Sequence, residues 1–353
     1  MTPTVDGLLS AADVSATAGA IADWQLPSGM IPWFPGGHAD AWNHVEAAMA
    51  LDIGGYRAEA ERAYEWLIGL QRPDGAWHQY YVEDDDGSSQ IEQDKLDANV
   101  CAYIATGVYH HYLRHKDIGF LESLWPTVEA AIDFVLDLQT PRGEILWARH
   151  ADGTPWSFAL LTGSSSISHS LRCAIAIAHA LGHERPEWES SSAALSHVVA
   201  NVPDAFAPKH RWAMDWYYPV LAGAVGGAVG REHLEDRYAT FAADDKGIRC
   251  VSDRPWITTA ETCECAMAYL AVGMHDRARE LFAHAQSQRL EDGHYWTGIV
   301  YPQEVHFPAD ERSTYSAAAV VLAAEALDGS SPSAALFADH DSVLPSPAEH
   351  LPD

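Results

Sequence analysis

Basic residues are scarce in this chain. Lys and Arg number 21 against 50 Asp and Glu, a formal net charge of −29 over 353 residues. Such a surface repels phosphate backbones and anionic headgroups, so nucleic-acid and membrane partners are not expected. Long apolar runs are missing too: no segment reaches the roughly 18 residues of a membrane-spanning helix. The start, Met1-Thr-Pro-Thr-Val-Asp6, has no basic region leading into an apolar stretch. Cysteine is sparse and odd in number, at five, and most lie in apolar runs. That excludes a disulfide framework and fits buried thiols in a reducing compartment, so the chain reads as cytoplasmic. No cysteine pair has zinc-site spacing, His110-His111 reads as packing, and neither a metal nor a cofactor is expected.

What is present is a repeat. An amphipathic helix, a turn with Gly and an aromatic residue, a loop and an Ala-rich helix recur along the chain. YRAEAERAYEWLIGLQ (56–71) is the clearest first half, its apolar stripe punctuated at helical spacing. The turn Gln71-Arg-Pro-Asp-Gly-Ala-Trp77 follows. It recurs at Gln25–Gly29 ahead of Trp33, at Gln139–Gly143 ahead of Trp147 and, more loosely, at Gln288–Gly293 ahead of Trp296. Second halves are expected near 38–55, 96–113, 164–182, 215–230, 259–273 and 313–327. They are rich in Ala, Gly, Cys and Val, so they must be buried on most sides. First halves fall near 6–22, 56–71, 122–140, 187–201, 231–242 and 275–288. Six outer and six inner helices describe an all-α (α/α)6 barrel, a toroid, over residues 1–328, with 329–353 as a polar tail. An open solenoid would need a polar cap at each end, and none is visible. GAVGGAVG (223–230) lies inside this helical repeat without a preceding strand, so close packing explains it better than phosphate binding.

All inner helices start on one side, where their N-termini favour carboxylates. Substrate-binding candidates there are Trp33, His38, Trp42, His44, Asp97, His169, Asp215, Trp216, Tyr217, Glu264, Trp296 and Tyr315, with Asp94 and Arg172 nearby. Capping alone accounts for many acids at helix starts. Glu261 and Glu264 differ: they lie three apart on one inner-helix face, where unpaired carboxylates are costly. Asp40 follows the flexible Gly36-Gly37-His38, between two tryptophans. Paired carboxylates across a bowl suit glycoside hydrolysis, one protonated and one ionised. The helix dipole is expected to keep Asp40 ionised as base. Like charge from Glu264 and partial burial are expected to keep Glu261 protonated as acid.

The Gln71-x-x-Asp-Gly-x-Trp77 turn resembles the repeat of terpene cyclases and prenyltransferase β-subunits, which are also helical toroids. Their catalytic acidic motifs are absent here; Glu83-Asp-Asp-Asp-Gly87 matches neither and reads as a solvated loop. Over nearly its full length the chain resembles the actinobacterial prenyltransferase-like proteins that hydrolyse methylmannose polysaccharide. IPWFPGGHADAWNHVEAAMAL (31–51), LQRPDGAWHQYYV (70–82), WAMDWYYPVLAGA (212–224) and RPWITTAETCECAMAYLA (254–271) carry the resemblance. It implies an endo-acting α-1,4-mannosidase on a cytosolic methylated mannan, with Asp40 and Glu261 as its matching carboxylates. A terpene-handling enzyme, a non-catalytic glycan-binding toroid and a lyase or epimerase are the competing readings. A lyase on uronic acids would need a basic mouth, which this composition disfavours. The sequence leaves the oligomeric state open.

Overall fold

The computed structural model describes residues 2–346, and these form six consecutive helix pairs. Outer α1 (Ala11–Ala22) leads to inner α2 (Ala41–Gly54), and outer α3 (Arg57–Leu70) to an inner segment broken at Tyr103 into α4 (Ala98–Ala102) and α5 (Ile104–His115). Outer α6 (Ile118–Leu136) leads to inner α7 (Leu161–Leu181), and outer α8 (Pro186–Asn201) to inner α9 (Met214–Leu221). Outer α10 (Gly227–Phe241) leads to inner α11 (Thr259–Ala271), and outer α12 (His275–Ala285) to inner α13 (Thr314–Asp328). Around the axis α2 packs on α4 and α5, α5 on α7, α7 on α9, α9 on α11, and α11 on α13. α13 then packs on α2, so the ring closes and the open solenoid is excluded.

Composition explains which helix lies where. α2 buries every residue from His44 to Gly54, whereas α3 buries only the stripe Ala60, Ala63, Tyr64, Trp66 and Leu67. The recurring turn is a joint between neighbouring outer helices. Gln71 donates its amide N–H to Gly75 O at 3.0 Å and to Thr127 O of α6 at 2.9 Å. Gln25 does the same toward Gly29 and Glu59, and Gln139 toward Gly143 and Ser191. The glycine is obligatory at Gly75: its φ is +87°, and a Cβ there would lie 2.0 Å from Ala130 O. Gly293, after α12, stands against Ala16 of α1 with φ +87°. The same device therefore closes the outer ring.

Connections differ sharply in length between the two ends. Each inner helix returns to the next outer one within a few residues, while every outer-to-inner connection is long. The strands all lie in these long connections. β1 (Tyr80–Glu83) pairs antiparallel with β2 (Ser89–Gln93), and β3 (Leu96–Asp97) with β4 (Ala148–Arg149). β5 (Ala242–Ala243) pairs with β6 (Gly247–Ile248). β7 (Trp256–Thr258), β8 (Trp296–Val300) and β9 (Val305–Arg312) form a three-stranded antiparallel sheet. They build a raised rim on the side where the inner helices begin.

Two expectations are corrected. The fourth inner helix stops at Leu221 rather than reaching Gly230, and the next outer helix starts at Gly227. Gly223 and Gly227 take φ of +76° and +58°, so the glycine-rich stretch forms the turn between them. The segment after Asp328, expected as a polar tail, also contains packed helices as far as it is described. Its short helices α14 (Ala335–Ala338) and α15 (His340–Val343) bury Leu336, Phe337 and His340 against the far ends of the inner helices. His169 and Tyr109 bond to the carbonyl oxygens of Leu336 and Val343, at 3.0 and 2.7 Å. Arg172 donates to Pro345 O and to Asp341. Residues 347–353 of the expected tail lie outside the described residues. No helix among the described residues is long and apolar enough to cross a membrane.

Candidate active site

The mouth holds a cavity of about 430 Å³. Its floor is the start of α2, with Asp40, Trp42 and Asn43; Asp97 and Asn99 from the start of α4, and Thr162 and Asp215 from the starts of α7 and α9, follow around it. Aromatic walls come from Trp33, Tyr80, Trp147, Phe158 and Trp212. Flat apolar rings with interspersed polar atoms suit sugar faces.

Asp40 is the N-cap of α2 in extended conformation and is 1% exposed. Its Oδ1 accepts from the Asn43 backbone N–H at 2.9 Å. Its Oδ2 accepts from the Asn43 amide and from the Trp33 indole, each at 2.7 Å. Burial pushes its carboxyl above the ordinary aspartate value, and the Asn43 and Trp33 donors pull the other way. The helix start alone therefore does not set its charge; desolvation is the larger effect.

Glu261 lies in the first turn of α11 and is half-buried. Burial raises its carboxyl as well. The expectation that Glu264 raises it by like charge is corrected: the repulsion is felt at Glu264, whose carboxyl is raised first by burial and then by Glu46 and Glu261. Asp40 and Glu261 do not face each other across the full bowl. They stand on α2 and α11, the two inner helices flanking α13. Tyr315 of α13 meets the Trp33 ring edge-on at 5.1 Å, and its phenol is pushed up by burial and then by the Glu261 charge, while neither Glu261 nor Tyr315 lines the cavity itself.

Below the mouth the axis is sealed by acid–phenol pairs. Glu264 accepts from the hydroxyls of Tyr217 and Tyr218, and Glu46 from Tyr103 at 3.1 Å. Glu46, Tyr103, Tyr218 and Glu264 line a cleft of about 20 Å³, plugged by Phe337. That space holds no sugar. Burial raises both glutamates; the Asp40 charge adds to it at Glu46, and the Glu46 and Glu261 charges at Glu264, so both are protonated more readily than free carboxylates.

The structure thus gathers Trp33, Asp40, Trp42, Asp97 and Asp215 at the cavity. Asp97 caps α4, accepting from Asn99 N at 3.1 Å, and pairs with Lys95 at 3.4 Å. Asp215 accepts from the Thr162 hydroxyl at 2.7 Å. His38 and Trp296 sit on the rim, stacked on Tyr80 and on His306 at 4.1 and 3.7 Å. Other candidates point elsewhere. His44 is clamped between Ile31 N and Ala63 O toward α3, and burial pushes its imidazole down to about 4. Trp216 stacks on Phe241 of α10, and its N–H reaches His233 O at 3.2 Å. His169 and Arg172 hold the C-terminal segment, and Asp94 is exposed. Asn43, Tyr80, Lys95, Trp147, Phe158 and Trp212 were not singled out for the site by their sequence context. Trp147 follows a repeat turn, which is the signal that could have flagged it.

No family model matches the chain. Solved structures do. A GH63 mannosylglycerate hydrolase of Thermus thermophilus superposes with a TM-score of 0.67 at 12% identity, covering 87% of this chain and 99% of that one. A D-mannose isomerase superposes at 0.62 with 10% identity, covering 91% and 99%. At such identities the likeness concerns the fold alone, and the class is that of the (α/α)6 toroids. Sequence likeness goes further. The chain is 48% identical over 335 residues, 95% of its length, to the MMP endo-(1,4)-3-O-methyl-alpha-D-mannosidase of Mycolicibacterium hassiacum, of which it covers 91%. It belongs to that family of glycoside hydrolases.

Proposed function

We propose that this chain cleaves internal α-1,4-mannosidic bonds of an intracellular methylmannose polysaccharide, with Asp40 and Glu261 as its two reacting carboxylates. The observation that carries the residue assignment is Asp40 on the floor of the aromatic cavity, fixed by Trp33 and Asn43. The substrate follows from the family relative's own activity. Buried thiols in all five cysteines support a cytoplasmic setting.

Asp40 acts as base. Three donors fix both its oxygens and stabilise its charge once formed. Glu261 acts as acid: it is raised by burial, and the weaker opposing contacts are the Thr258 hydroxyl and its own backbone N–H. It donates a proton to the leaving oxygen while Asp40 takes one from the attacking water. The sheet β7–β8–β9 stands directly before α11 and α13 in the chain, and β7 runs straight into the turn that carries Glu261. A long chain laid across the aromatic mouth suits internal cleavage.

Asp40→Asn and Glu261→Gln test the assignment. Each is expected to lower kcat by about 10²–10⁴-fold on methylated mannooligosaccharide, with unchanged folding. An activated aryl leaving group needs no acid, so it should restore Glu261→Gln but not Asp40→Asn. Near-normal rates in either variant on the natural linkage would remove that residue from the mechanism.

A further inference from the structure

Away from the mouth, the last turns of α2 and α5 bring Asp52, His111 and His115 together. One ligand atom of each lies within 4.8 Å of the other two. Asp52 is twelve residues beyond Asp40 on the same helix, about 18 Å away at the helical rise. The cluster is therefore separate from the proposed reaction site. His111 and His115 stand four apart on α5, which puts both imidazoles on one face, the spacing of helical zinc ligands. Asp52 faces them from α2.

The contacts within the cluster leave polar atoms without partners. His111 is 1% exposed, yet neither of its ring nitrogens makes a hydrogen bond. Its Nε2 lies 3.4 Å from Glu61 Oε1, but that oxygen already accepts from Arg57. Asp52 is 4% exposed. Its Oδ1 meets His115 Nε2 at 2.6 Å, and its Oδ2 has no partner. A carboxylate in the last turn of α2 also faces the negative end of the helix dipole. Orphaned atoms of this kind are costly when buried. A bound cation would satisfy a buried imidazole nitrogen and a carboxylate at once.

We propose that Asp52, His111 and His115 form a site for a zinc-like divalent cation that ties α2 to α5 at the closed end of the toroid. Two imidazoles and one carboxylate match the ligand preferences of zinc, with water in a fourth position. Metal–ligand lengths near 2.1 Å set tetrahedral ligands about 3.4 Å apart. The 2.6 Å contact between Asp52 and His115 must then open by about 0.8 Å, while the wider separations close. His115 is partly exposed and offers the approach from solvent.

The test uses untagged full-length protein, stripped with chelator, freed of it and incubated with Zn²⁺. Metal retained through gel filtration is then counted by elemental mass spectrometry. About one equivalent is expected, with a higher unfolding temperature, as for binding to the folded state alone. His115→Gln and Asp52→Asn should lose that equivalent with unchanged circular dichroism. His275→Gln, which alters an exposed histidine on α12, should keep it. Wild-type protein that retains no metal, or variants that retain as much as wild type, would overturn the site. Should both variants misfold, Co²⁺ titration of wild-type protein decides. Visible bands that disappear on adding Zn²⁺ support the site, and their absence refutes it.

Discussion

At the residue scale the two carboxylates are set apart by their partners. The Trp33 indole lowers the Asp40 carboxyl against the dominant effect of burial. Trp33→Phe removes that donor, so the Asp40 value should rise further. A base must be ionised, so the acidic limb of kcat against pH should move to higher pH in this variant. On the proposed assignment the alkaline limb belongs to Glu261, which must stay protonated, and should stay in place. Burial raises both groups, so the whole profile should lie above the range of ordinary carboxylates. An acidic limb that does not shift in Trp33→Phe would contradict the role of Asp40. Glu264 gives a contrast three residues from Glu261. It lies under the mouth, bonded to Tyr217 and Tyr218. Glu264→Gln should keep kcat within about tenfold, since no proton-transfer step is lost. Tyr217→Phe should cost about 1–3 kcal/mol in denaturant unfolding, the cost of a buried acceptor losing a donor.

Between neighbouring helices, the Gln-x-x-x-Gly turn makes the toroid from its pairs. Gly75→Ala places a Cβ in a left-handed conformation and against the α6 backbone at Ala130. Gly55→Ala meets the same kind of φ, +96°, but open space. The second should cost about 1–2 kcal/mol, and the first distinctly more, in parallel urea titrations. Equal losses would mean that close approach of the outer helices is unimportant. This turn was legible in the sequence because its chemistry is local: an amide, a helix stop and a positive φ recur at fixed spacing. Helix identity was legible for the same reason, as the continuous burial of α2 and the single stripe of α3 follow from Ala content and periodicity. The site was legible only in part. Acids and aromatics at helix starts could be named, but a helix start is surrounded on all sides. Nothing local told that Trp216 turns outward to α10 and His44 to α3, whereas Asp40 turns inward. Lys95, Phe158 and Trp212 reach the cavity through loops whose course depends on distant packing. The break after Leu221 was missed because alanine and glycine together mimic a helical run.

For the whole molecule, one buried carboxylate ties α13 to α5 and to the segment that follows α13. Glu325 near the end of α13 accepts from Arg114 at 2.6 Å and from Ser331 and Ser333 at 2.7 Å, and meets His110 at 2.9 Å. Burial works against its charge, but His110 and Arg114 prevail and hold it at about 2. A depressed carboxyl contributes stability that is present above its unfolded value, near 4.5, and lost as pH falls toward 2. Wild-type protein should lose stability across that window, and Glu325→Gln should be less stable at neutral pH and flatter below pH 4.5. Identical acid titrations of stability would dismiss this hub.

The long connections and the aromatic cavity share one end, and the family relative is an endo-mannosidase. The central claim is internal cleavage of methylated α-1,4-mannan at that end. Mass spectrometry of products from 3-O-methylated α-1,4-mannooligosaccharides tests it most directly, with Asp40→Asn and Glu261→Gln alongside. Internal fragments from wild type and intact substrate from both folded variants are the predicted result. Single mannose units released from a chain end, or cleavage that persists in the variants, would contradict it.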